Sequence, residues 1–188
     1  MAINSIMRKE VDLSVNGNQI KYANIEGRKG PYNLDGKRSF NVSLSYEDAK
    51  MLYELGWRIK IRGLNPNTGE YEKTKDIDAP FEDMTYMLKV NVTFKDEYPV
   101  NIWRIVAGTK KKRPLTPTAR TSSWNVKAID SDVIISADLL LYGWKSRQDG
   151  LVTAYLEEAT FVVKERSSSD EKYSDFEIED EPEFIDEE

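Results

Sequence analysis

Alternation of apolar and polar residues runs through most of the chain and predicts a mainly β protein. The most regular run, residues 86–95, places Tyr, Leu, Val, Val and Phe on one face and Met, Lys, Asn, Thr and Lys on the other. Since successive side chains of a strand point to opposite faces, this run predicts a strand with one buried face. Similar runs predict further strands at 11–15, 20–25, 40–44, 57–62, 100–106, 133–144 and 151–164.

Turn residues between these runs predict how the strands connect. Asn16-Gly17-Asn18 predicts a hairpin between the first two strands, and Asp149-Gly150 predicts an antiparallel hairpin between the last two. Residues 63–83 are rich in turn residues and predict a polar connection without a strand. We therefore expect the strands to pair mainly with their sequence neighbours, in an antiparallel sheet that closes fully or partly into a small barrel.

One short helix is predicted within this pattern. Ser45 is a good N-cap residue, and Glu47 and Asp48 follow in the first turn, where the helix dipole favours negative charge. Gly56 suits the C-terminal end of the helix. The sequence therefore predicts a helix near 46–55.

The charge of the chain is divided unevenly between its body and its C-terminus. Residues 170–188 contain eleven Asp or Glu and a single base, whereas residues 1–169 contain 26 Lys or Arg and 22 Asp or Glu. The net charge of −6 therefore combines a body of +4 with a tail of −10. So charged a segment has too few apolar side chains to offset the entropy lost on ordering. The sequence predicts one domain over 1–165 and a flexible, disordered acidic tail over 166–188.

Four apolar residues are spaced along this tail: Phe176, Ile178, Phe184 and Ile185. A tail that served only solubility would not need them. Short apolar anchors within a charged segment suit docking on another protein, so we expect the tail to bind partner proteins through these side chains.

The chain contains no cysteine and no histidine. This excludes disulfides, zinc fingers, iron–sulfur clusters and the catalytic groups of Ser-His-Asp and Cys-His enzymes. The glycine-rich motifs that bind nucleotide phosphates are also missing. Asp130, Asp132 and Asp138 are the best candidates for a magnesium site, but the first two flank Ser131 before a strand, where Asp usually forms turns. We expect no enzyme activity, no metal and no cofactor.

Hydropathy gives no indication of export or membrane insertion. The first residues lack the apolar core of a signal peptide. The most apolar run, 133–141, is too short to span a bilayer. We expect a soluble, cytoplasmic protein without a membrane partner.

Bases and aromatic rings occur together in the body of the chain. Three of the four tryptophans precede a base: Trp57-Arg58, Trp103-Arg104 and Trp144-Lys145. Basic loops are predicted at 28–38 and 110–127. Cations neutralise phosphates and rings stack on unpaired bases, so this mixture is typical of proteins that bind single-stranded nucleic acid without sequence preference.

Each of these features also has a simpler explanation. Trp57 begins an apolar face, so we predict that it belongs to the core. Trp144 lies near a strand end, where burial and stacking are equally compatible with the sequence. The run Lys110 to Arg113 could be a solvated charge cluster, although four consecutive bases in a body of +4 favour phosphate contact.

Two stretches of the chain match the pattern of a known protein family. The first is YNLDGKRSFNV at 32–42, followed by Asp48-Ala49-Lys50 and by LGWRIK at 55–60. The second runs from Tyr142-Gly143-Trp144 through Gly150 to AYL at 154–156 and FVV at 161–163, and is followed by the acidic tail. In these stretches the chain resembles the single-stranded DNA-binding proteins of tailed bacteriophages, whereas the 63–83 and 107–130 segments match poorly.

This resemblance implies an OB-fold barrel that coats single-stranded DNA during phage replication and recombination in the host cytoplasm. It further implies that members often form homodimers. From its apolar anchors, we expect the acidic tail to recruit replication proteins. The tail of bacterial proteins of this kind ends in Pro-Phe, whereas here Phe184 is followed by Ile185 and three acids. The identity of the tail's partner is therefore left open.

The sequence thus predicts a non-enzymatic, sequence-nonspecific single-stranded DNA-binding protein. The expected DNA-binding residues are Arg28, Lys29, Tyr32, Lys37, Arg38, Lys60, Trp103, Arg104, Lys110, Lys111, Lys112, Arg113, Arg120 and Trp124, with Tyr32, Trp103 and Trp124 as stacking residues. Three alternatives stay open at this point: a phage structural or protein-interaction module, an RNA chaperone on the same fold, and a metal-dependent nuclease.

Overall fold

The computed structural model describes residues 2–7, 10–94, 100–115 and 132–164, with side chains described from residue 10 onward. Its strands are Ala2–Met7 (β1), Glu10–Asn16 (β2), Ile20–Asn24 (β3), Arg38–Leu44 (β4), Ile59–Asn65 (β5), Glu70–Thr74 (β6), Glu82–Val92 (β7), Asn101–Val106 (β8), Lys112–Pro114 (β9), Ile134–Lys145 (β10) and Val152–Val163 (β11). One α-helix, Tyr46–Glu54 (α1), lies between β4 and β5, and a short 3-10 helix, Gly17–Gln19, separates β2 from β3.

The strands form one mixed sheet in the order β1-β2-β10-β11-β7-β4-β3. β5 pairs on one side with β7, at the edge of β7 opposite to β4, and on its other side with β6. Similarly, β8 pairs with both β11 and β9. Pairings between named strands are antiparallel except those of β11 with β7 and with β8. The predicted mainly antiparallel β fold with one short helix is therefore confirmed. Within the described residues, the end strands β1 and β3 do not pair with each other, so the sheet is open rather than a closed barrel.

The predicted hairpin between the strands at 11–15 and 20–25, which correspond to β2 and β3, is wrong. β2 pairs with β1 and β10, whereas β3 pairs with β4. A Cβ atom on Gly17 would lie 1.7 Å from the carbonyl oxygen of Ile134, at the start of β10. The glycine therefore allows a close backbone approach at which the chain leaves one part of the sheet for another, instead of closing a tight turn.

Two short polar strands also depart from the sequence prediction. β6 lies within 63–83, where the sequence predicts a strandless connection, and it forms a hairpin with β5. β9 covers part of the predicted basic loop and forms a hairpin with β8. Neither segment has the alternating apolar residues of a half-buried strand, so the pattern that predicts the longer strands gives no signal for these two.

The helix begins and ends close to its predicted bounds. The Ser45 hydroxyl accepts a hydrogen bond from the Asp48 backbone N–H at 3.2 Å, which confirms the N-cap. Ala49 and Leu52 are buried and attach the helix to the core. On its other side, the Tyr53 hydroxyl donates to the Lys75 carbonyl oxygen at 3.0 Å, which ties the helix to the chain between β6 and β7.

The apolar faces of the strands enclose one hydrophobic core. Trp57 is 1% exposed within it, so its predicted core position is confirmed. A Cβ atom on Gly143 would lie 2.9 Å from the Trp57 ring and 2.3 Å from a methyl group of Val152. The glycine of β10 therefore leaves the space that the indole fills between α1 and the β10–β11 hairpin.

Candidate nucleic-acid interface

Five basic side chains lie on the outer face of the strands around β7. We call this group the cationic face; its members are Lys21 on β3, Lys60 and Arg62 on β5, Lys73 on β6 and Lys89 on β7. All five are exposed. They come from four separate parts of the sequence and are brought together only by the pairing of the strands.

Strand register explains how these bases share one side of the sheet. Lys21 pairs with Asn41, which pairs with Lys89. Arg62 pairs with Lys73 on the β5–β6 hairpin. Side chains of directly opposed residues project to the same face, and the buried residues that alternate with them point to the core.

The centre of the cationic face is the amide of Asn41, which is only 7% exposed. The Lys60 ammonium donates a hydrogen bond to its side-chain oxygen at 3.4 Å. Burial lowers the pKa of Lys60 below its usual value, and the positive charges of Lys89 and Lys73 lower it further. The charges of Lys89 and Lys73 thus repel the Lys60 ammonium, and an anion placed beside it would relieve that repulsion.

Several other bases of the protein differ from the cationic face because carboxylates neutralise them. Arg28 pairs with Glu26, Lys50 with Asp78 and Arg58 with Asp149; the shortest distances are 3.6, 2.5 and 2.6 Å. Within the part of the chain that the structure describes, no member of the cationic face forms an ion pair. Its charge is therefore available to a ligand.

The loop between β3 and β4 borders this face and carries five of the predicted residues: Arg28, Lys29, Tyr32, Lys37 and Arg38. The Asn33 amide donates to the carbonyl oxygens of Arg28 and Lys37, at 3.0 and 2.8 Å, and accepts from the Lys37 N–H at 2.9 Å. These three bonds close the loop and leave the Tyr32 ring at its tip fully exposed. Arg28, Lys29 and Lys37 are exposed on the same loop.

Arg38 has a different position from its neighbours in this loop. Its guanidinium lies over the Phe94 ring, 4.4 Å from the centroid, and its Nε donates to the Glu26 carbonyl oxygen at 3.2 Å. Arg104 is also engaged within the protein. It forms an ion pair with Asp132, with Nε–Oδ2 and Nη2–Oδ1 distances of 2.7 and 3.4 Å, and the Asp132 side chain is 1% exposed. Both arginines stabilise the fold where they stand.

The β8–β9 hairpin presents the second group of predicted residues. Lys110, Lys111, Lys112 and Arg113 are exposed along its turn and its second strand. Trp103 is half-buried on β8, and the Lys112 ammonium lies over its ring at 4.7 Å from the centroid. The predicted residues Arg120 and Trp124, and the tail residues Phe176, Ile178, Phe184 and Ile185, lie outside the described residues.

Carboxylates gather on the outer face of the other half of the sheet. We call this group the acidic face; its members are Glu10 and Asp12 on β2, Asp138 on β10, and Glu157 and Glu158 on β11. Burial raises the pKa of Glu157, and the negative charges of Glu10 and Glu158 raise it further. The two halves of the sheet therefore present opposite charges to solvent.

The two candidate magnesium ligands that the structure describes are engaged with other side chains. Asp132 binds Arg104, and Asp138 accepts a hydrogen bond from the Ser14 hydroxyl at 2.8 Å. Asp130 lies outside the described residues. Among the residues that are described, no cluster of three or more carboxylates has the arrangement of a metal site, and no helix is long and apolar enough to cross a membrane.

A family model described as "Putative phage ssDNA-binding domain" matches residues 3–187. The chain belongs to this family. The resemblance to phage single-stranded DNA-binding proteins that the sequence showed is therefore confirmed, and single-stranded DNA is the partner that the family supports. A search of curated proteins gives no match.

Two of the solved structures to which this chain is similar are of the single-stranded DNA-binding protein from bacteriophage Enc34. The first has a TM-score of 0.41 and 11% identity, and the match covers 91% of this chain and 97% of the other. The second, a C-terminal truncation, has a TM-score of 0.39 and 8% identity, with 88% and 96% of the two chains covered.

Of the cationic face, only Lys60 is among the DNA-binding residues expected from the sequence. A signal for Arg62 and Lys89 is present, because each lies on the polar side of a regularly alternating strand. Lys21 and Lys73 give no such signal, since the sequence predicts a different pairing for β3 and no strand at β6. Tyr22, at a bulge of β3 with φ of 53°, is a further exposed ring beside Lys21 that was not expected to bind DNA.

Proposed function

We propose that this protein binds single-stranded DNA without sequence preference on the cationic face, and that it coats such DNA during phage replication and recombination. The observation that supports this most directly is the group of five exposed cations without acidic partners among the described residues. The phosphates of a flexible strand carry the negative charge that would relieve the repulsion around Lys60.

The residues around the cationic face favour the binding of single-stranded DNA over duplex DNA. The loop closed by Asn33 holds a fully exposed tyrosine ring at one border. Rings of this kind stack on unpaired bases, whereas the bases of a duplex are already stacked on each other. Separate lysines and an arginine hold phosphates, which carry no sequence information, and this agrees with binding that is independent of sequence.

The acidic tail completes this proposal. Its net charge of −10 is tethered to the body that carries the cationic face. An attached segment has an effective concentration that reaches the millimolar range, so its carboxylates compete with DNA phosphates for the same lysines. When DNA displaces the tail, Phe176, Ile178, Phe184 and Ile185 become available to recruit replication proteins in the host cytoplasm.

An oligo-dT titration at several salt concentrations tests the function. The affinity should fall linearly with salt on logarithmic axes, with a slope of about 0.7 per phosphate contact. Oligo-rU and duplex DNA should displace bound oligo-dT poorly, which distinguishes the proposal from an RNA chaperone and from a duplex binder. An affinity that does not depend on salt would contradict binding through cations.

A further inference from the structure

Three aromatic side chains lie on the outer face of β10 and β11, next to the cationic face. Trp144 is 68% exposed. Tyr142 stacks on Tyr155, with ring centroids 5.4 Å apart and 18° between the ring planes. Their neighbours Gly143 and Ala154 are buried, which fixes the three rings on the solvent side.

The register of the strands aligns Trp144 with the lysines. Trp144 pairs with Thr153 across β10 and β11. The parallel register of β11 with β7 places Thr153 level with Lys89. Lys89 pairs with Asn41, and Asn41 pairs with Lys21. A single row of side chains therefore crosses five strands, from an exposed indole on β10 to lysines on β7 and β3.

A second row lies one step further along the strands. Tyr142 pairs with Tyr155, Tyr155 with Asn91, and Asn91 with Ser39. At its other end the row reaches Glu10 on β2, which belongs to the acidic face. The rings thus occupy the boundary between the two charged halves of the sheet.

The distance between Trp144 and Lys89 matches the distance between the base and the phosphate of one nucleotide. Neighbouring strands are about 4.8 Å apart, so the backbones at Trp144 and Lys89 are roughly 10 Å apart. The long lysine side chain shortens the gap between its ammonium and the indole further. A nucleotide whose base covers the ring can therefore place its phosphate among the ammonium groups of the cationic face.

We propose that Trp144 and the stacked Tyr142–Tyr155 pair form the platform for unpaired bases, with the adjoining phosphates on Lys89 and Lys60. The inference rests on the proposed function. Single-stranded DNA would then cross the strands of the sheet, with its bases toward β10 and β11 and its backbone toward β5 and β7. The negative charge of the acidic face repels the phosphates, which keeps the DNA backbone on the side of β5 and β7.

This assignment differs from the stacking residues expected from the sequence. Trp103 is half-buried, and the Lys112 ammonium already covers its ring. Trp57 is enclosed in the core and is out of reach of any base. Of the three tryptophans that the structure describes, only Trp144 offers an open ring.

Two probes separate base stacking from phosphate binding in the full-length protein: oligo-dT, and an abasic oligomer of the same length that keeps the phosphates but has no bases. We expect Trp144→Leu to weaken oligo-dT binding about tenfold and to leave abasic binding unchanged. Trp144→Phe, which keeps a ring, should recover most of the affinity. It should also lose most of the fluorescence quenching that DNA causes in the parent protein.

Two variants serve as controls, and thermal unfolding verifies that each protein is folded. Ile135→Ala removes an exposed apolar side chain from the same strand outside the two rows, and should change neither affinity. Lys60→Ala with Lys89→Ala should weaken binding to both probes.

The outcomes distinguish the platform from the cationic face. If Trp144→Leu binds oligo-dT as the parent does, or weakens binding to both probes equally, the platform is wrong. If the lysine variant binds more weakly but Trp144→Leu binds normally, only the platform is overturned and the proposed function stays in place. If the lysine variant binds both probes normally, the proposed site itself fails.

Discussion

The two halves of the sheet expose the same kind of surface with opposite charge. Around β7, the outer face carries five cations; on β2, β10 and β11, it carries five carboxylates. Each half contains one group whose pKa is shifted by burial and by like-charged neighbours: downward at Lys60 and upward at Glu157. In both halves, the strands show the same alternation of buried apolar and exposed polar residues. The residues between the apolar positions, which contribute little to the core, set the sign of the charge that each half exposes.

The opposite charges of the two halves restrict the path that a nucleic acid can follow across the protein surface. A polyanion gains energy over the cationic face and loses it over the acidic face. The boundary follows the pairing of β7 with β11, where charged residues give way to asparagine, threonine and aromatic rings. We therefore expect changes in the two halves to have opposite effects on DNA binding.

Reversing charge on the cationic face should have the largest effect. Lys60→Glu with Lys89→Glu should weaken oligo-dT binding about 100-fold, or roughly 1.4 kcal/mol for each reversed charge. Fluorescence anisotropy measures the affinity. Arg147→Glu with Lys164→Glu is the matched control, because it changes the net charge equally at exposed positions outside the face. Equally weakened binding in both double variants would show that only net charge matters.

The β8–β9 hairpin tests whether the contrast extends beyond the central strands. Replacing Lys110, Lys111, Lys112 and Arg113 by Ala should weaken binding about tenfold, less than reversal on the cationic face. It should lower the slope of log affinity against log salt by about 0.7 for each phosphate that the hairpin no longer neutralises. An unchanged slope would confine phosphate binding to the cationic face and the neighbouring 28–38 loop.

Removing the acidic tail should have a smaller effect in the opposite direction. A chain that ends at Ser169 loses a net charge of −10. It should bind oligo-dT about three- to tenfold more tightly at low salt, with the gain disappearing as salt screens the charges. The same truncation should abolish binding of partner proteins without changing the thermal unfolding of the body. Equal affinities of the two chains at low salt would mean that the tail does not compete with DNA.

Neutralising one carboxylate of the acidic face should produce the smallest effect, and the stability of the fold is its most direct measure. Because the pKa of Glu157 is raised in the folded protein, its ionisation opposes folding as the pH rises through that pKa. Glu157→Gln should therefore raise the unfolding temperature at pH 7 by no more than about 2 °C, since the group is largely exposed. The difference should vanish at a pH below the usual glutamate value. A variant that is stabilised equally at acid pH would point to packing instead of charge.

Much of the fold could be predicted because most of its strands have a strong local signal. The runs at 86–95, 133–144 and 151–164 alternate clearly, and Ser45 marks the start of the only α-helix in the described residues. Pairing has no such signal. β2 joins β10 across more than a hundred residues, and β11 pairs in parallel with β7. Local alternation contains no information about such partners, so the sequence predicts a hairpin around Gly17 where none exists.

The site was harder to predict for the same reason. Consecutive bases such as Lys110 to Arg113 are conspicuous in a sequence, whereas Lys21, Lys73 and Lys89 stand alone among other residue types. Only the register places them side by side. The sequence also does not show which bases are engaged within the protein. Arg104, next to a tryptophan, is therefore expected to contact DNA although it binds Asp132.

The junction between β7 and β11 has a consequence for how the chain folds. β10 and β11 are close in sequence and pair over most of their length, so they can associate early. The pairing of β11 with β7 joins segments about sixty positions apart over only a short stretch, and the Asn91 amide adds one bond to the Ala154 carbonyl oxygen at 3.2 Å. Closing so long a loop for so short a pairing is slow. We expect the β10–β11 hairpin and the strands around β7 to form first as separate units, and the row that joins the indole to the lysines to be completed only after these units associate.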